Sequence, residues 1–284
     1  MPTAVPTRRM AFEYPPVDEL PRHFVGGDPV MSHVVAMLSA MFPDGEDFFV
    51  RSVRARRDHV DDPELLEQVK GFIGQEAMHG RAHRTFNQRL ADLGYPTRGV
   101  ERFVDQSLRL RERLLPNRAN LALTAALEHY TATLAETLLA SEDARELFDV
   151  PEVRNLLLWH ALEESEHKAV AFDVYRDTGG SEGLRRFTMH VTNVLFILFT
   201  IGTTTISLAK DPTVRRDPRG LLRSLRRLRT SPFLTRDVAR RIRAYNRPGF
   251  HPDDIDASAL VAHWRAELFG AEGALAERLV GAAD

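Results

Sequence analysis

Apolar residues recur at spacings of three and four along almost the whole chain, and nowhere alternate with polar ones as in a half-buried strand. The pattern predicts an all-α protein. Helix starts are marked by proline, which suits the first helical turn, and by aspartate, which caps it. Asp28-Pro29 opens a short helix ending near Phe42, and Pro43 restarts one to about Val60. Asp62-Pro63 opens a long helix closed by Gly94 and Pro96, and a linking helix covers about 98–114. Pro116 introduces another (NLALTAALEHYTATLAETLLA), and Val150-Pro151 a continuous one through WHALEESEHKAVAFDVY to Gly179-Gly180. An apolar helix over about 182–209 and Arg-rich helical pieces to Asn246 follow, and a final helix runs from about Ala257 to Val280. Residues 1–27 are proline-rich and read as an irregular arm over the surface.

Composition narrows the chemistry. The 284 residues include no cysteine, which removes disulfides, thiolate zinc sites, iron–sulfur clusters and cysteine nucleophiles together. Any metal must be held by carboxylates and by some of the 11 histidines. With 38 Lys+Arg against 40 Asp+Glu the net charge is −2, so nothing global points to nucleic acid. The arginines of MPTAVPTRRMAFEYPP are followed by no apolar run, unlike a secretory signal, so a cytoplasmic location is expected. One domain is expected over 1–284, with a core bundle at about 43–177 and an apolar and basic extension at about 182–284.

The informative pattern is a repeat. Glu76 and His79 form one Glu-x-x-His, and Glu164 and His167 another; side chains three apart share a helix face and can grip one ion. Each is preceded by a helix with a further glutamate, Glu46 or Glu128. Two such hairpins joined by a crossover are the plan of ferritin-like di-iron bundles. The expected fold is therefore a ferritin-like four-helix bundle with additional C-terminal helices.

The stretches FPDGEDFFVRSV, GQEAMHGRAH, WHALEESEHKAVAFDVY and YNRPGFHP resemble bacterial proteins described as predicted metal-dependent hydrolases, over roughly Phe42 to Pro252. The resemblance implies metal ligands at Glu46, Glu76, His79, Glu128, Glu164 and His167. An oxygen-rich set with one imidazole per metal suits Fe(II) and Mn(II). The expectation is therefore an O₂-dependent oxygenase or oxidase with two iron ions (Fe/Fe, or Mn/Fe), acting on a small apolar substrate. Glu46, Glu76, Glu128 and Glu164 would be its catalytic carboxylates, and a separate reductase its electron donor. A dinuclear metal-dependent hydrolase of esters or amides is the alternative, and a ferroxidase-type metal-binding protein a further one. His83 and His160 lie one turn from the ligands, as extra ligands or as partners that orient them. Gln75 and Glu163 stand where many di-iron oxygenases carry an aspartate. Tyr130 and Trp159 flank ligands, and Phe48 and Phe49 adjoin Glu46.

The second informative feature follows. Val191 to Ala209 carries no charge, spanning roughly 28 Å at the helical rise, but it is flecked with threonine and serine. Such a helix is expected to be buried against the bundle or in a homodimer, or to line a substrate channel. Lys210 to Arg247 holds 13 Lys/Arg against three Asp, a local charge of +10 that leaves −12 for the remainder. This asymmetry suits peripheral contact with an anionic membrane; the competing reading is pairing of those arginines with the acidic bundle.

Overall fold

The computed structural model describes residues 5–280, and among them the only β-type pairing is an isolated bridge between Met10 and Leu279. The protein is all-α. Its helices are α1 (Pro29–Ser39), α2 (Phe42–Arg57), α3 (Pro63–Asp92), α4 (Thr97–Leu114), α5 (Asn117–Ala140), α6 (Glu142–Glu146) and α7 (Pro151–His167). They continue as α8 (Val170–Asp177), α9 (Glu182–Lys210), α10 (Pro212–Arg216), α11 (Pro218–Arg227), α12 (Arg236–Ala244) and α13 (Ser258–Phe269). The starts follow the expected chemistry: Asp28 accepts from the Met31 N–H and Asp62 from the Glu64 N–H, each ahead of a first-turn proline. Such a cap is worth about 1 kcal/mol. Gly94, at φ +91°, takes the left-handed turn that ends α3.

Two boundaries differ from expectation. The helix through WHALEESEH ends at His167, and α8 begins at Val170. The break falls at Lys168, whose buried ammonium bonds to Glu136 on α5 and to the Ile255 carbonyl. The last helix stops at Phe269 instead of reaching Val280, because the chain folds back over Gly270 and Gly273. A Cβ at either glycine would lie 2.5–2.6 Å from the backbone of Ala266 or Leu268. The returning segment then meets the N-terminal arm, with Val280 N–H on the Arg9 carbonyl at 2.8 Å.

Two hairpins, α2–α3 and α5–α7, are joined by α4 and pack against each other through α2 with α5 and α3 with α7. Two apolar cores result, one including Phe86, Leu90, Trp159 and Leu162, the other Phe48, Phe72, Leu121 and Tyr175. Along α3, Phe72 belongs to one core and Phe86 to the other, so residues 75–83 form a polar layer between them. Each fully buried large side chain contributes about 1.5–3 kcal/mol, which offsets the cost of burying that layer.

Of the places expected for the apolar helix, burial against the bundle does not hold within residues 5–280. α9 packs on α1 and α5 through Thr188, Met189, Thr192, Thr204 and Ser207, while Val194, Leu195, Leu198 and Ile201 are about 60% exposed. The inversion has a chemical reason, since the facing positions are polar. Ser207 Oγ lies 2.6 Å from His33 Nδ1, and the Tyr130 hydroxyl donates to Asn193.

Candidate metal centre

Four helices carry the polar layer: Glu46 on α2, Glu76, His79 and His83 on α3, Glu128 on α5, and His160, Glu163, Glu164 and His167 on α7. The helical period accounts for the grouping, because Glu76, His79 and His83 share one face of α3, as His160, Glu164 and His167 share one of α7. All are buried; Glu46, Glu76, Glu128 and Glu164 are 1–3% exposed. Three groupings bring a ligand atom from each member within 4.8 Å of the others: Glu46, His79 and His160; Glu76, Glu128 and His167; Glu76, His79 and Glu164. All six residues expected as ligands are thus together, and Glu76 and His79 are each common to two groupings.

The atoms converge without satisfying one another. His167 Nε2 lies 3.1 Å from Glu76, 3.3 Å from Glu128 and 3.7 Å from Glu164. Yet neither oxygen of Glu46, Glu76 or Glu128 has an aligned hydrogen bond, nor has Glu164 Oε2, His79 Nδ1 or His167 Nε2. Among the described residues no Lys or Arg forms an ion pair with these four glutamates. Buried polar atoms are normally paired, so this concentration of orphaned lone pairs fits a bound cation.

The imidazoles are oriented from behind. His79 Nε2 is 2.9 Å from Glu163 Oε2, which turns Nδ1 toward Glu164 at 3.6 Å. His167 Nδ1 is 2.8 Å from Gln75 Oε1, which turns Nε2 into the cluster. An N–H bound to a carboxylate or amide oxygen, with the other nitrogen free, is the usual arrangement of metal-binding histidine. His160 is fixed by a longer chain. Asn87 Nδ2 donates to Glu101 and to the Ser39 carbonyl, so its Oδ1 accepts from Ser39 Oγ at 2.6 Å. Ser39 must then accept from His83 Nδ1, and His83 Nε2 from His160 Nδ1, each at 2.8 Å. This leaves His160 Nε2 facing Glu164 at 2.9 Å and Glu46 at 3.6 Å.

Electrostatics follow from the crowding. Burial, then the neighbouring carboxylates, hold Glu46 and Glu76 well above the usual carboxylate range. Burial and Glu164 push Glu128 up to about 7. Burial would raise Glu164 too, but the His160 and His167 imidazoles beside it outweigh burial and hold Glu164 well below the usual range. For His167, burial is outweighed by Glu128, Glu164 and Glu76, and its pKa stands well above normal. Burial, then His160, depresses His79 and His83. The cluster thus concentrates acceptor charge that dications or protons must balance.

Other expected residues take different places. Tyr130 packs on Phe196 at 4.8 Å with its hydroxyl on Asn193, outside the cluster. Phe48 and Phe49 are core packing, whereas Trp159 and Phe72 present edges to His79 and His167, each at 4.9 Å. The sequence reading missed Arg8, which donates to Glu163 at 2.9 Å and Glu166 at 2.8 Å. No local signal marks it, for Arg8 stands 155 residues from Glu163. It also missed the role of Glu166, which accepts from Gln75 and Arg265.

Fold and site together define an all-helical protein with a buried carboxylate and histidine centre suited to metal. The chain belongs to the family described as "predicted metal-dependent hydrolase", which it matches over residues 6–256. No curated protein and no solved structure matches it. The family corrects the expected reaction: metal-dependent hydrolysis replaces O₂-dependent oxidation, and with the oxidoreductase reading go the O₂ co-substrate and the reductase. The physical reason is that a carboxylate-rich centre specifies an ion's charge and coordination, not whether the ion changes oxidation state.

Proposed function

We propose that the protein is a dinuclear metal-dependent hydrolase of small esters or amides. The observation that carries this reading is the set of unpartnered carboxylate oxygens and ring nitrogens converging between α2, α3, α5 and α7, in a chain of a metal-dependent hydrolase family. The two-hairpin arrangement of their helices supports a ferritin-like plan. Glu46, His79 and His160 would hold one ion and Glu128 and His167 the other, with Glu76 and Glu164 shared. Such a set accepts Fe(II), Mn(II) or Zn(II). When bound, such ions lower the pKa of water and polarise a carbonyl oxygen.

The remaining work is assigned to the chain. Glu163 and Gln75 hold the two Glu-x-x-His imidazoles in register, and His83 keeps the His160 Nε2 lone pair directed inward. Phe72 and Trp159 shield those rings from water. Substrate would enter from a surface pocket of about 270 Å³ lined by Pro43, Arg84, Asn87 and Glu101. Between that pocket and the cluster lies Gly80, where a Cβ would stand 3.3 Å from Glu46 Oε2.

The test is turnover of a panel of chromogenic acyl esters and anilides by metal-reconstituted protein under nitrogen. Turnover without O₂, lost on chelation and restored by added metal, is expected. Turnover indifferent to chelation would sink the proposal.

A further inference from the structure

The outward face of α9 has no partner within residues 5–280. Phe187, Val194, Leu195, Leu198, Ile201 and Ile206 are 55–66% exposed along one helix, and Phe103 of α4 extends the patch by stacking on Phe199 at 5.6 Å. Exposed apolar patches larger than a few hundred Å² mark interaction surfaces. α9 is long and apolar enough to cross a bilayer. Its other face, however, is committed to the protein through Ser207 on His33 and Asn193 on Tyr130. Crossing would break those contacts, whereas lying in the membrane plane would keep them.

Charge selects the partner. From Lys210 to Arg229 the chain carries eight cations; among the described residues Arg223 and Arg227 form ion pairs, with Asp217 and Asp28, and Lys210, Arg215, Arg216, Arg219, Arg226 and Arg229 do not. The acidic bundle therefore does not neutralise this segment. At the other end of the patch Arg186 and His190 are exposed. A second copy of the chain laid parallel on this face would bring the two basic segments together. An anionic lipid surface accepts the apolar face and the cations at once, each near-surface Lys or Arg strengthening attachment.

We infer that α9 and the basic segment after it form a monotopic docking surface for anionic membranes, α9 lying in the interface with its apolar face in the lipid. The inference is independent of the reaction proposed above. It is tested by co-sedimenting the full chain with phosphatidylcholine vesicles, with and without phosphatidylglycerol, at low and high salt. Binding to the anionic vesicles at least about ten-fold above neutral ones, weakened by salt, is expected. Leu198→Glu/Ile201→Glu should abolish it and Arg226→Glu/Arg229→Glu reduce it about ten-fold or more. These positions are exposed, so circular dichroism and metal content should match the parent. No sedimentation, or equal binding to neutral vesicles, would overturn the inference. So would a dimer seen by light scattering that Leu198→Glu/Ile201→Glu disperses.

Discussion

His79 and Glu163 meet across α3 and α7 with Nε2 2.9 Å from Oε2, and this contact aims the opposite ring nitrogen at Glu164. Replacing the carboxyl group should loosen that aim without unfolding the protein, because Arg8 keeps Glu166 as a partner. Glu163→Gln is expected to weaken metal binding about 10–100-fold, read by competition with a chromophoric chelator. An unchanged affinity would mean that ring orientation does not matter here.

Arg8 ties the N-terminal arm to α7 through Glu163 and Glu166 and lies over the Phe269 ring at 4.7 Å. Its loss leaves Glu163 buried, already pushed up to about 8 by burial against the pull of Arg8. Arg8→Ala should cost about 1–3 kcal/mol, the cost of leaving buried acceptors short of a donor. Thermal unfolding of the chelated protein checks this, and a shift under one degree would refute the latch.

Gly80 occupies the middle of a 30-residue helix, where alanine would ordinarily be favoured by about 1 kcal/mol. A methyl there would press on Glu46 Oε2 at 3.3 Å. Gly80→Ala is expected to keep or slightly raise the stability of the chelated protein while lowering metal affinity several-fold. Equal affinity in both proteins would remove Gly80 from the entry path.

Acid should destabilise the protein through two buried histidines outside the metal centre. Burial pushes His33 and His129 down to about 4, partly offset by Asp211 for His33 and by the Arg241 carbonyl for His129. In the unfolded chain each takes its proton near 6.5. Their stabilisation is therefore complete above that pH and is lost as pH falls from about 6.5 toward 4, by about 1–3 kcal/mol each. Urea midpoints should drop over this window, and His33→Gln should flatten the slope. Identical slopes would contradict this role for His33.

Much of this architecture was legible because local chemistry decides it. Asp28-Pro29 and Asp62-Pro63 supply a cap and a first-turn proline, and the Glu-x-x-His spacing places both side chains on one helix face whatever surrounds them. What failed depended on distant parts of the chain. Lys168 breaks its helix through Glu136 and Ile255, and Arg8 reaches Glu163 from the opposite end of the sequence. α9 turned its apolar face outward because His33 and Tyr130 claim its polar one, which no periodicity in α9 reveals. The reaction was not legible because a set of carboxylates and imidazoles constrains an ion's charge and coordination and leaves its chemistry open.

The most direct test of the metal centre is elemental analysis of the purified, reconstituted protein beside Glu76→Gln and His167→Asn variants. About two divalent ions per chain, falling to one or fewer in each variant with helicity unchanged, is the predicted result. A correctly folded parent that retains no metal, or variants that keep the full complement, would contradict the assignment of these residues as ligands.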